Sequence, residues 1–175
     1  SNHTIFNQLE KILIDCDDNM TKFLNQNIIN LSNLRKASIC STNKLAQDEF
    51  YQLLKKIDTV QKLFMPGIDF APIPPSETGK RLLLPNLTTL EFSSMNASKK
   101  QWLETYGQQL ESLSCSICDN DHDYFTSITL PKLKKLSLGI LYRENQLRSI
   151  LKATPALEEI SIESITIPDK DYDLS

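Results

Sequence analysis

One apolar pattern recurs seven times along this chain, and it constrains the fold more than any other feature. The pattern is apolar-x-x-apolar-x-apolar, and successive copies start 23 to 27 residues apart. Recurrence at such a period is typical of repeat proteins, in which one supersecondary unit is stacked along an axis. Every slot is hydrophobic in a chain that is only 40% hydrophobic. The triplets are Leu9/Ile12/Ile14, Leu34/Ala37/Ile39, Val60/Leu63/Met65, Leu87/Leu90/Phe92, Leu110/Leu113/Cys115, Leu133/Leu136/Leu138 and Leu157/Ile160/Ile162.

Each triplet predicts a short β-strand that lines a core. Alternate residues of a strand point to opposite faces, so the second and third triplet members share one face and the residues between them share the other. Between strands the apolar period changes to that of a helix, which predicts an α/β chain with parallel strands. The helical stripes are Met20/Phe23/Leu24/Ile28/Leu31, Ala46/Phe50/Leu53/Leu54/Ile57 and Leu147/Ile150/Leu151.

Local signals mark the ends of the repeats. Ser98, followed by Gln101 ahead of an apolar pair, predicts a capping box at the start of a further helix. The third repeat is exceptional, because residues 66–75 carry four prolines and cannot be helical. We expect an extended loop there, which is either a stiff connector or a binding loop with Phe70 at its tip.

The stretch Leu151-Lys-Ala-Thr-Pro-Ala-Leu157-Glu-Glu-Ile160-Ser-Ile162 resembles the leucine-rich repeat. It is similar to the cysteine-containing subtype of F-box substrate receptors of ubiquitin ligases, with Thr154 in place of the cysteine. The resemblance covers nearly the whole chain and implies one array over residues 1–175: an α/β solenoid of about seven repeats, with parallel strands on its concave face and helices and loops on its convex face. The Asn ladder position departs from the family pattern: it holds Ile68, Met95, Cys118, Leu141 and Ile165, of which only Cys118 fits the cysteine-containing subtype.

Charge and composition narrow the classes of partner. Nineteen basic and 22 acidic residues give a net charge of -3, which argues against duplex nucleic acid. No apolar run is long enough for a membrane span. Ser1-Asn2 and the absence of a cap before the first repeat lead us to expect a fragment of a longer chain or complex. Cysteines at strand positions favour a reducing, intracellular compartment. Five Asn-x-Ser/Thr sequons point the other way, but we discount them because at least two lie in the core of a repeat.

The residues that could carry chemistry are few. Cys115, Cys118 and His122 outline a metal site, but zinc in a closed site needs four ligands and no second Cys/His pair follows. An imidazole base could come only from His3 or His122, and neither a nucleophile elbow nor a phosphate-binding loop is present. We therefore predict no catalytic, metal or cofactor site.

The outward residues of the strands remain as the candidate binding surface. Lysines lead the first three strands, small hydroxyls fill the middle of the chain, and glutamates close the last strand. Phe64 lies between lysines and is an outward aromatic side chain that either a partner or a neighbouring loop must cover. The candidate contact residues are Lys11, Leu13, Lys36, Lys62, Phe64, Glu91, Ser112, Ser114, Lys135, Glu159 and Glu163.

These observations favour a non-enzymatic module that binds another protein or peptide on its concave face. The resemblance implies that it could be the substrate-recognition part of a ubiquitin-ligase adaptor. One alternative is a regulator of a small GTPase, for which Arg81 and Arg143 are the candidate arginines. Another is a bacterial effector that is secreted into a host cell and mimics host repeats, as the Asn/Lys/Ile-rich composition suggests.

Overall fold

A computed structural model describes residues 8–15, 31–40, 47–66, 83–117, 124–141 and 144–165. Seven strands in this part of the chain form one parallel sheet, and each strand pairs with the next in chain order. The chain is thus α/β, as predicted. The strands are β1 (Lys11–Asp15), β2 (Lys36–Cys40), β3 (Lys62–Met65), β4 (Thr89–Phe92), β5 (Ser112–Cys115), β6 (Lys135–Leu141) and β7 (Glu159–Ile165).

The strands stand in the register that the triplets predict. Each begins two residues after the first triplet member, and these first residues are paired with one another across the sheet. The second triplet members pair in the same way, for example Leu63 with Leu90 and Leu136 with Leu113. A one-residue slip would turn every apolar side chain outward, so burial of one face holds the register.

The turn into each strand uses the same backbone hydrogen bonds at every junction. At the first junction the amides of Arg35 and Lys36 both donate to the carbonyl of Glu10, at 2.9 and 3.0 Å. At the last, the amides of Glu158 and Glu159 donate to the carbonyl of Lys134, both at 2.9 Å. The four junctions between them repeat this arrangement, which satisfies the amides ahead of each strand.

Three helices lie in the described part of the chain. Phe50, Leu53 and Leu54 of the first helix are buried as the second apolar stripe predicts. In the third helix the stripe runs differently, because Leu151 is exposed while Gln146 and Ala153 are buried with Ile150. The helices are α1 (Gln47–Lys56), α2 (Ala97–Tyr106) and α3 (Glu144–Ala153).

Helix α2 begins two residues earlier than the predicted capping box. Its N-cap is Asn96, whose side-chain oxygen accepts a hydrogen bond from the Lys99 amide at 2.9 Å. Asn is as good an N-cap as Ser, and here it precedes Ser98 along the chain. The side chain of this sequon asparagine is thus engaged in the helix cap.

The buried side of the sheet and the helices share one hydrophobic cluster. The five inner triplets are buried, whereas the two outer ones are partly open. Ile160 departs from the prediction most clearly, with 39% of its surface exposed. Within the described residues, β1 and β7 are the edge strands of this sheet and pair with one strand only, so their inward side chains keep one flank uncovered.

Aromatic packing fills the middle of the cluster. Phe50 of α1 lies 6.2 Å from Trp102 of α2, and Trp102 lies 5.3 Å from Tyr106, all between ring centroids. Burial raises the pKa of Tyr106 to about 12, against the opposing effect of a hydrogen bond with the Leu84 backbone. Tyr106 is therefore held as a neutral phenol in the core.

Several predictions fall on residues outside the described ranges. They concern the first helical stripe up to Ile28, the proline-rich segment after Pro66, and Cys118 and His122 of the outlined metal site. Among the helices that are described, none has the length and apolar character that crossing a bilayer would take.

Candidate functional site

The outward face of the sheet carries rows of side chains that run across the strands. Because the strands are parallel and in register, residues at the same position of each strand stand side by side, about 4.8 Å apart. The first row starts with Lys11, Lys36 and Lys62, which we call the lysine row. The second row starts with Leu13, Ser38 and Phe64, which we call the apolar slot.

A groove of about 390 Å³ lies over the first four strands of this face. The lysine row and the apolar slot both line it, and Thr89 and Glu91 of β4 close its far side. Among the described residues, this groove therefore brings together six of the predicted contact residues. They are Lys11, Leu13, Lys36, Lys62, Phe64 and Glu91.

The lysine row is a line of like charges. Lys36 stands directly opposite Lys11 on one side and Lys62 on the other. Within the described part of the chain none of these lysines forms an ion pair, and the next residue in the row is the neutral Thr89. Like charges that face each other across strands destabilise a sheet, so the row costs the free protein stability.

The apolar slot is formed by a small residue between two large ones. Leu13 is 67% exposed and Phe64 is 36% exposed, whereas Ser38 between them is only 9% exposed. The Ser38 hydroxyl lies 3.9 Å from the Cys40 sulfur, one outward position further along the same strand. The two apolar side chains thus form walls about two strand spacings apart, roughly 10 Å, with Ser38 as the floor.

Glu91 limits the groove on the side of β4. It is paired in register with Phe64, so a carboxylate stands beside the aromatic wall. Acidic charge at this border contrasts with the lysine row at the other edge of the groove. The groove therefore has one basic edge, an apolar centre and one acidic corner.

The outward face of the last three strands is built differently. The Lys135 amine and the Glu159 carboxylate form an ion pair at 2.7 Å between β6 and β7. The hydrogen bond to Glu159 raises the pKa of Lys135 above its usual value. Small residues fill the next rows, with Ser114 opposite Ser137, and Gly139 so close to Ser116 that a Cβ at position 139 would clash.

The remaining predicted contact residues lie on this second half of the face, outside the groove. They do not converge on a cavity with the lysine row. Two outward residues that the sequence prediction did not select, Ser38 and Thr89, do line the groove. Alternation along the strand places them outward, but their role depends on which neighbours flank them across strands. The residues outside the groove are Ser112, Ser114, Lys135, Glu159 and Glu163.

The residues considered for chemistry are only partly described. Cys115 is a buried residue of β5, as its place in a triplet predicts. Cys118, His122, Arg81 and Arg143 lie outside the described residues. Within the described ranges no three His, Cys, Asp or Glu side chains are grouped closely enough to hold a metal ion.

The geometry of the groove suits an elongated ligand with anionic and apolar groups. It is open to solvent, with lysines along one edge, apolar side chains at its centre and Glu91 at one corner. No protein-family model matches the chain, and no curated protein matches it significantly.

Proposed function

We propose that this protein is a non-enzymatic interaction module that binds another protein on the outward face of its sheet. The single observation that carries the proposal is the groove over β1–β4. There the lysine row, which forms no ion pair within the described residues, lies next to two exposed apolar side chains. Apolar anchors rimmed by charges are the usual composition of a protein-binding hot spot.

The proposed architecture is a leucine-rich-repeat solenoid whose concave face is this outward face. Three observations support it: the sevenfold triplet, the sequential parallel strands and the same hydrogen-bond arrangement at each junction. Thr154 adds a local argument, since its buried hydroxyl donates to the Ile150 carbonyl at 2.9 Å and so closes α3 where the subtype has cysteine. An adaptor role of the F-box kind, within the cell, is the biological setting that the resemblance suggests.

Site-specific photo-crosslinking tests the proposal. A photoreactive amino acid would replace Leu13 in the groove of the full-length protein, and a matched variant would carry it at Leu151, an exposed apolar residue of α3. We expect a crosslinked partner from position 13 and not from position 151.

Second-site variants make the crosslinking result specific. Phe64→Ala and Lys62→Glu should each abolish the crosslink from position 13, whereas Lys132→Glu, on an exposed turn, should leave it intact. A crosslink that survives both groove variants would contradict the proposed surface, and equal crosslinking from both labelled positions would contradict it as well.

A further inference from the structure

The groove also indicates the chemistry of the segment that it binds, an inference that rests on the proposed function. We infer that the partner presents an extended acidic segment in which an apolar side chain lies between two carboxylates. The apolar side chain would enter the slot between Leu13 and Phe64, and the carboxylates would pair with the lysine row.

The dimensions of the two rows support this pattern. The lysine row spans two strand spacings, roughly 10 Å, and alternate side chains of an extended peptide are about 7 Å apart. Two carboxylates at alternate positions therefore reach all three lysines, which lie directly opposite one another. The intervening side chain of such a peptide points the other way, toward the row that holds Ser38.

Charge complementarity identifies the partner as acidic. The three lysines face one another without an ion pair in the described part of the chain, so added carboxylates would remove the repulsion between them. The row ends at Thr89, and Glu91 borders the slot beyond Phe64. An acidic segment is thus confined to β1–β3 by the chain's own acidic corner.

The apolar slot distinguishes a protein segment from other polyanions. Nucleic acid offers phosphates to lysines, but a duplex carries no aliphatic side chain to place between Leu13 and Phe64. Ser38 is nearly buried while its two neighbours are exposed, which leaves a recess of the width of one strand between them. A recess flanked by apolar walls favours a Leu-like side chain over a phosphate.

Short labelled peptides added to the full chain test this inference by fluorescence anisotropy. The probes are alternating Glu/Leu, Glu/Ser and Lys/Leu peptides of equal length, together with single-stranded oligothymidine. We expect the Glu/Leu peptide to bind at least about tenfold more tightly than the other three, a difference of about 1.4 kcal/mol.

Matched variants locate the binding. Lys36→Glu and Ser38→Phe should each weaken binding of the Glu/Leu peptide by about tenfold or more, since one reverses the central charge and the other fills the slot. Lys132→Glu and Ser137→Phe are the controls, with the same changes on a turn and at the equivalent position of β6. Lys36 is exposed, so the Lys36→Glu variant should fold and still tests the binding site if Ser38→Phe does not fold.

The outcomes separate this inference from the proposed function. Tight binding of the Lys/Leu peptide, or equal binding by the groove and control variants, would overturn the acidic-apolar pattern. If oligothymidine and the Glu/Ser peptide bind as tightly as the Glu/Leu peptide, the groove recognises charge alone and the acidic-apolar pattern is wrong. If the crosslink from position 13 persists in either case, the surface stands and only its partner chemistry is wrong.

Discussion

The two halves of the outward face share one scaffold and differ in what they expose. Over β1–β3, three lysines face one another beside two exposed apolar side chains. Over β6 and β7, the equivalent first-row position holds a lysine that is neutralised by Glu159 at 2.7 Å. The same register and the same junction hydrogen bonds support both halves, so the difference does not follow from the fold.

The first half of the face keeps cross-strand lysine repulsion, which a sheet can readily avoid. An opposite charge at one position suffices to neutralise the row, as β7 demonstrates. The lysine row instead retains repulsion, and the slot retains exposed apolar surface. Features that cost stability on a surface are typical of places where function is selected over stability.

The largest predicted effect tests whether the scaffold is indeed shared. Leu63 and Leu136 are equivalent buried residues of β3 and β6, at 1% and 2% exposure. We expect Leu63→Ala and Leu136→Ala each to lower the free energy of unfolding by about 2 to 5 kcal/mol, through lost burial and the cavity left behind. Urea unfolding measures both. If only one of the two substitutions lowers the free energy of unfolding, the two halves differ in their cores as well.

A second prediction concerns Tyr106 of α2, where the two halves meet. Its folded-state pKa of about 12 lies above the usual 10, so its contribution to stability is present below pH 10 and is lost as the pH rises toward 12. The loss should approach about 2 to 3 kcal/mol. Phe at this position removes the titration, so the pH profiles of wild type and Tyr106→Phe should converge or cross above pH 10. Parallel profiles would contradict the raised pKa.

The third prediction reverses the central charge of the lysine row. Lys36→Glu should raise the free energy of unfolding by about 0.2 to 1 kcal/mol, because it replaces two repulsive cross-strand pairs with attractive ones. Lys132→Glu, the same change of charge on a turn, controls for the net charge. Chemical denaturation at low salt measures the difference, and a loss of stability in Lys36→Glu would mean that the row is already compensated.

The smallest effect is expected from the converse change in the second half of the face, where the ion pair of Lys135 and Glu159 is removed. Glu159→Lys should lower the urea midpoint slightly, because it places a second lysine opposite Lys135. Glu159→Gln should return the pKa of Lys135 toward 10.5, which NMR of its side chain can follow. Since that pKa is raised in the folded state, the contribution of the pair is present at neutral pH and is lost above pH 10.5. An unchanged pKa would show that the ion pair does not persist in solution.

Much of the scaffold could be predicted from the sequence, because short-range periodicity determines it. The triplets predicted the strands and their order, and the second stripe predicted the buried face of α1. The prediction was wrong where the position of a helix start or the burial of a side chain depends on neighbouring elements. Asn96 caps α2 ahead of Ser98, and Leu151 is exposed. Ile160 is partly exposed because β7 is an edge strand of the sheet, and no pattern within β7 shows which strands lie beside it.

The sequence predicted which face of the sheet carries the candidate site, but it did not predict where on that face the groove lies. Alternation along each strand identified Lys11, Lys36 and Lys62 as outward residues. It could not show that Ser38 forms the floor of a slot, since that depends on side chains of two other strands. Nor could it separate the groove from the ion-paired half, because pairing of Lys135 with Glu159 is a matter of side-chain geometry.

An NMR titration of the labelled protein with the alternating Glu/Leu peptide tests whether the groove over β1–β4 is the binding surface, because it reports on both halves of the outward face at once. We expect amide shifts to change in β1–β4, most strongly near Lys36, Ser38 and Phe64, and those of Ser114 and Ser137 on the other half to stay unchanged. Shift changes centred on β5–β7, or spread evenly over the sheet, would show that the groove is not the binding surface.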